Sequence, residues 1–368
     1  MKRFFVILLI TFLFIPVFPA KAENVVILSE PTHRASTGIF FDNELADLIS
    51  PTGRLGKIVF NRSNRGGTWL IDPALLEEVI DLVDGYTYLD QNKKEVVVPE
   101  LVIADIWIST LKSATRRADV VSLPYGNPSS SFLARSAPGE LSLYRTLGQQ
   151  RLSNLLSRDV RSTTSTSIGA LSRVNSNEYL SLRHSIATIN SLITLKEIED
   201  ARLKLAQLIN PSLPKNRSAD LFLDLQKVNK ELNAKIRISG GNYTITSSSY
   251  ELPVTIINRF NQQVNLDVRL SASNARIVIR SIPRITVGAQ SQLQIKVPIT
   301  VIASGDTTLR IQLWTPGGEM VGEMKRIPLR LAVISSSTTW FATTLALVLL
   351  LALVTQSVRR VKLRKKIG

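Results

Sequence analysis

The chain has 368 residues, with 45 Lys and Arg against 29 Asp and Glu, two histidines and no cysteine. The absence of cysteine excludes disulfide stapling, thiol catalysis and zinc–thiolate sites, and the length allows one large or two ordinary cores. The net charge of +16 overstates the body: nine basic residues lie at the two ends, and the stretch between carries 36 basic against 29 acidic residues, or +7.

Met1-Lys2-Arg3 leads an apolar run broken by Pro16 and Pro19 and ending Ala20-Lys21-Ala22. A basic start, an apolar centre and a small-x-small ending predict a secretory signal peptide over 1–22. An uncleaved anchor helix is the alternative, but it has no use for the Ala-Lys-Ala ending. Export excludes nucleic acid as a partner of the basic body and fits an anionic wall or lipid surface. An ordinary solvated basic surface accounts for the balance equally well.

From Val25 to about Lys235 the apolar pattern alternates between strand-like and helical runs. VVIL (25–28) and TWLID (68–72) read as strands. PALLEEVIDLVDG follows as a helix, with Pro73 in its first turn, an apolar stripe at Leu75, Leu76, Val79 and Val83, and Gly85 closing it. A helix over Pro99–Ala118 leads to the strand VVSL and the loop Leu123-Pro124-Tyr125-Gly126-Asn127-Pro128. Glu140–Leu156 is helical, TSIGAL (166–171) is a further strand, and Leu195–Ile209 and Ala219–Ala234 are amphipathic helices. Such alternation implies an α/β domain, residues 23–235, with a mostly parallel sheet.

After Lys235 the period becomes two. About eight short alternating segments, from KIRISG to IPLRLAVI, are separated by Gly, Asn, Ser and Pro. They predict an antiparallel, Ig-like β-sandwich over 236–334, with TPGGEM (315–320) as a hairpin turn. SSSTT (335–339) is a linker. The uncharged run 340–358 would span ~28 Å as a helix, about one hydrocarbon thickness. Six basic residues follow in the tail 359–368, a positive-inside flank. The expected placement is a single-pass cell-membrane protein with its body outside and its tail in the cytoplasm.

Few chemistries fit. The histidines, His33 and His184, are 151 positions apart, which argues against a metal-dependent deacetylase and leaves each as a surface or packing residue. No Gly-x-Ser-x-Gly elbow, dinucleotide fingerprint or Walker loop occurs, so neither metal nor cofactor is expected. Glycoside hydrolysis remains, since it needs only two carboxylates. Asp72 is the best-placed candidate, with Glu77 and Glu78 one helical turn on. Its competing role is an N-cap, because Asp before Pro at a helix start accepts backbone N–H groups, and caps are far commoner than catalytic acids. Asp119 begins its strand, the wrong end for barrel chemistry. Trp69, Trp107 and Tyr125 are candidate sugar-stacking rings or core residues, and core packing is favoured for Trp107.

With Trp69, Asp72, Pro73, Leu75 and Leu76 in one motif and Leu123, Pro124, Tyr125 and Pro128 in another, the chain resembles the actinobacterial DUF6049 family of envelope proteins. The runs Phe40–Leu55 and Leu252–Asn258 look similar as well. The resemblance implies an exported protein with an α/β region related to glycosidase and deacetylase barrels, here a partial or complete TIM-like barrel. It also implies a sandwich and one C-terminal membrane helix. It implies a role in peptidoglycan assembly, binding a wall glycan or an envelope partner, and no established reaction. This chain is shorter than the family norm and carries Asn127 where the family usually has Asp, and an amide cannot act as general acid or base. The sequence therefore favours a binding protein, with a degenerate hydrolase-like domain and ligand candidates Trp69, Asp72, Tyr125 and Asn127, over a glycosidase-like enzyme acting through Asp72.

Overall fold

The computed structural model describes residues 24–164, 171, 173–332 and 343–356. The expected signal peptide, nearly all of the TSIGAL strand, the 335–339 linker and the basic tail lie outside these residues. The chain divides into two compact units: one holds residues up to 34 and 39–167, the other 35–38 and 168 onward.

The first unit begins with β1 (Val25–Leu28), α1 (Glu44–Ile49) and α2 (Arg54–Phe60). β2 (Thr68–Ile71), α3 (Pro73–Asp81), the hairpin β3 (Tyr86–Leu89) and β4 (Glu95–Val98), and α4 (Val102–Thr115) follow. β5 (Asp119–Ser122), α5 (Ser130–Ser136), α6 (Pro138–Leu156) and β6 (Arg161–Ser162) complete it. The sheet runs β1-β2-β5-β6 with every pair parallel. Val26, Leu28, Trp69, Ile71 and Val120 form its buried side, because alternate residues of a strand share a face. Leu75 and Val79 of α3 and Trp107 and Leu111 of α4 close over them, at the spacing of one helical face.

The expected TIM-like barrel is not present. Closure requires eight parallel strands; among the described residues this sheet has four and stays open, β1 and β6 being its edges. Among the described residues the only other sheet in this unit is the antiparallel pair β3–β4. The expected transmembrane helix is corrected too. No helix among the described residues is long and apolar enough to cross a membrane. Of the run 340–358 only 343–356 is described, as a helix.

The second unit opens with α7 (Arg173–Leu192), α8 (Lys196–Leu208) and α9 (Lys215–Ala234), packed on one another through Ile186, Ile189, Ile198, Leu205, Leu221 and Leu225. A β-sandwich follows: β7 (Ile236–Ser239), β8 (Tyr243–Ile245), β9 (Ser249–Asn258), β10 (Val264–Ala272) and β11 (Ile277–Ile279). β12 (Ile285–Val287), β13 (Ser291–Val301), β14 (Gly305–Trp314) and β15 (Met320–Leu331) complete it. One sheet runs β12-β10-β14-β15-β8 and the other β11-β13-β9-β7. All pairs are antiparallel except β8 with β15, which is parallel, so the expectation of a wholly antiparallel sandwich is corrected there. Period-two residues fill the core: Leu252, Val254 and Ile256 of β9 face inward, as do Leu309, Ile311 and Leu313 of β14. α7 and α9 pack on β15, and Thr188 Oγ1 donates to Glu319 Oε2 at 2.9 Å.

One buried amide organises an end of the sandwich. Asn258 Nδ2 donates to the carbonyls of Gln262 and Gly288, each at 2.8 Å, and its Oδ1 accepts from Phe260 N–H at 2.9 Å. A buried polar group that loses its partner costs about 1–3 kcal/mol. Asn258→Ala is therefore predicted to destabilise the protein by about 2–3 kcal/mol in urea-denaturation curves. A loss below about 0.5 kcal/mol, the range of ordinary surface changes, contradicts the role assigned to it.

Candidate functional site

The carboxyl ends of β1, β2 and β5 lie side by side, and the loops leaving them carry most of the buried polar groups of the first unit. Parallel α/β sheets place ligands at this edge. Asp72 directly follows β2 and is fully buried. Its Oδ1 accepts the Ala74 N–H at 3.0 Å, capping α3, and also the Gly126 N–H at 2.9 Å from the loop after β5. Its Oδ2 has no hydrogen-bond partner. Burial pushes its pKa up to about 8, against the pull of the Gly126 and Ala74 N–H groups and with help from Glu78 and Glu77. The cap weighed from sequence is thus present, and the same oxygen holds a second loop.

That loop, Leu123 to Pro128, is pinned on several sides. Asn127 N–H donates to Pro124 C=O at 2.9 Å, closing a turn whose third residue, Gly126, has φ +73°, the geometry that asks for glycine. Tyr125 N–H donates to Tyr144 C=O of α6 at 3.0 Å. The approach is close because α6 carries Gly148 at the contact: a Cβ there would lie 2.9 Å from both Leu123 O and Tyr125 N. Asn127 Nδ2 donates to Ser29 Oγ, just past β1, at 3.1 Å.

Tyr125 is 3% exposed. Its hydroxyl donates to Glu77 Oε2 at 2.7 Å, Arg151 Nη1 donates to Glu77 Oε1 at 3.1 Å, and the Arg151 guanidinium lies 5.5 Å from the Tyr125 ring centre. Burial raises the Tyr125 pKa well above the phenolic range, and the adjoining Glu77 carboxylate raises it further. Glu78, also buried, accepts from Thr32 Oγ1 and, at 2.9 Å, from the His33 N–H. Trp69 is fully buried with its indole N–H on Asn64 C=O at 3.1 Å, and Trp107 is buried in the same core. Asp119 lies at the opposite end of β5, paired with Arg161. His184 is on α7, in the other unit. The structure thus brings Asp72, Tyr125 and Asn127 together under one edge and leaves Trp69 in the core beneath.

Sequence reasoning missed the loop after β1. His33 is fully buried, with Nδ1 at 2.7 Å from Asp42 Oδ1 and Nε2 at 3.5 Å from Glu30 Oε1. Asp42 and Glu44 bring a carboxylate oxygen each near the His33 ring, the three ligand atoms lying within 4.8 Å of one another. Glu30 also pairs with Arg54. Burial opposes ionisation of Glu30, but His33 and Arg54 outweigh it and hold its pKa below the usual carboxylate value. The available signal was a histidine in the loop leaving a parallel strand, with an aspartate nine positions on.

In the second unit, an open groove of about 570 Å³ crosses β14, β15 and β8. Tyr243, Thr244, Ser273, Asp306, Thr308 and Arg330 are among the residues lining it. Asp306 and Arg330 are direct cross-strand neighbours. Tyr243 is held by its hydroxyl, which donates to Pro253 C=O at 2.9 Å.

The profile described as "Family of unknown function (DUF6049)" matches residues 147–363, and the chain belongs to that family. No curated protein matches the chain. Among solved structures it is similar to WR4, a C. elegans MSP family member, at 13% identity and TM-score 0.21, covering 27% of this chain and 98% of that one. The E. coli chaperone DraB is similar at 12% identity and TM-score 0.21, covering 27% and 57%. The ASH/PapD-like domain 7 of human CEP192 is similar at 12% identity and TM-score 0.22, covering 28% and 87%. Likenesses this slight carry no argument about function.

The buried Asp72 carries a stability signature. Its pKa is about 8 folded and about 3.9 unfolded, so between these values the folded state binds the extra proton. Its contribution is therefore most favourable below pH 4 and is lost as pH rises toward 8. Asp72→Asn keeps the Oδ1 acceptor and removes the titration. The variant is predicted to gain stability relative to the parent steadily from pH 4 to pH 8, measured by denaturant unfolding. A difference independent of pH contradicts a raised Asp72 pKa.

Proposed function

We propose that the protein is an exported component of an actinobacterial cell envelope that binds a wall glycan or an envelope partner during peptidoglycan assembly, and that it catalyses no reaction. The observation that supports binding is the groove over β14, β15 and β8. Its hydroxyls, its Asp306–Arg330 pair and its fixed Tyr243 ring offer what a polar, ring-containing chain needs: several hydrogen-bond partners and an apolar face. The export pattern at the first 22 residues, the cysteine-free body and the basic balance support the envelope setting. Against catalysis stands the use made of the acids under the sheet edge: Asp72 is fully buried, Glu78 holds the loop after β1, and Glu77 is gripped by Tyr125 and Arg151. A glycosidase reading draws only on the raised Asp72 pKa, which suits a general acid.

Co-sedimentation of the full-length protein with purified peptidoglycan, alongside a reducing-sugar assay on the same material, separates these readings. Binding without hydrolysis is expected, with Asp306→Ala/Arg330→Ala weakening it at least tenfold. Sedimentation unchanged by that pair removes the groove from the reading. Glycan cleavage abolished by Asp72→Asn establishes the enzyme instead.

A further inference from the structure

From the loop after β1 we infer a site for a divalent first-row transition metal ion, zinc in the first instance, held by His33 Nδ1 and the carboxylates of Asp42 and Glu44. One imidazole nitrogen and two carboxylate oxygens already lie within 4.8 Å of one another. Around a zinc ion with bonds of ~2.0–2.2 Å such atoms stand ~3.4 Å apart; the 2.7 Å hydrogen bond between His33 Nδ1 and Asp42 Oδ1 must open by less than ~1 Å, and a rotamer adjustment of the exposed Glu44 then closes the set. The donor types suit zinc or manganese. Imidazole disfavours magnesium and calcium, and the lack of sulfur disfavours copper(I).

The second nitrogen of the ring argues for a built site. His33 Nε2 faces Glu30 Oε1 at 3.5 Å, and Glu30 is held by Arg54. A carboxylate behind a histidine fixes the tautomer that leaves the other nitrogen to the metal. The backbone is fixed too. Glu78 accepts the His33 N–H at 2.9 Å, Phe41 N–H donates to His33 C=O at 2.7 Å, and Phe40 is bonded on both sides to the hairpin strand β3. His33 and the segment carrying Asp42 are therefore clamped together before any ion arrives, which lowers the ordering cost of binding. The site lies at the carboxyl edge of the parallel sheet, where α/β proteins take ligands. It is separate from the sandwich groove and does not depend on the glycan reading. The competing account is a histidine that is merely hydrogen-bonded to two acids.

Equilibrium dialysis of the chelator-stripped full-length protein against Zn²⁺, with metal analysis, distinguishes the two accounts. One bound equivalent is expected. Glu44→Gln, a change at an exposed position, should weaken binding about tenfold or more, and Glu30→Gln, behind the histidine, about 10–100-fold. Neither change should shift metal-free thermal unfolding by more than a few degrees. His184→Ala should leave binding unchanged, and Co²⁺ in place of Zn²⁺ should show d–d bands that Glu44→Gln alters. No bound equivalent, binding indifferent to Glu44→Gln, or loss of binding in His184→Ala overturns the site.

Discussion

The first unit depends on one oxygen. Asp72 Oδ1 receives two backbone N–H groups, one from the first turn of α3 and one from Gly126 in the loop after β5. It therefore joins the end of β2 to the end of β5 across the sheet and sets where the Leu123–Pro128 loop lies. An ionised carboxylate in so dry a place costs several kcal/mol. With Oδ2 unpartnered, protonation is the cheaper state, and the raised pKa expresses that. The neutral acid still accepts both N–H groups, so the clamp survives loss of the charge.

The other polar groups at this edge follow from that clamp. Gly148 admits the loop against α6, the turn places Tyr125 on Glu77, and Arg151 completes the triad. On the β1 side, Glu78 does for the loop after β1 what Asp72 does for the loop after β5, accepting a backbone N–H from an adjoining connection. Successive positions of one helix, Glu77 and Glu78, thus brace two different loops. A sheet edge braced in this way is preorganised, the state that favours binding over adaptability. His33 and its carboxylates sit on the braced loop.

Much of this could be read from the chain. The period-two pattern after Lys235 gave the sandwich strands closely, because alternate burial leaves a direct trace. β12, Ile285–Val287, was the strand not anticipated. Pro73 and Asp72 revealed α3 and its cap. The barrel was expected from the family resemblance and not from the strand–helix alternation, which looks the same in an open four-stranded sheet and in a closed one; closure depends on strand count and pairing, which the alternation does not carry. The wholly antiparallel sandwich failed at β8 for a similar reason, since a three-residue edge strand shows no direction. His33 was set aside because the other histidine is far away in sequence. Its partners Asp42 and Glu30 are acids brought to it by the loop and by the start of α1, and a distance of 2.7 Å across nine residues leaves no periodic mark.

The account stands most directly on the protonation of Asp72. Carbon-13 NMR of the aspartate carboxyls in the folded protein, titrated from pH 4 to pH 9, reads it without any mutation. A buried clamp predicts one carboxyl, absent from the spectrum of Asp72→Asn, that titrates near pH 8. If that resonance titrates near pH 4 with the surface aspartates, Asp72 is ionised and solvated, and the picture of a neutral acid tying two loops together is wrong.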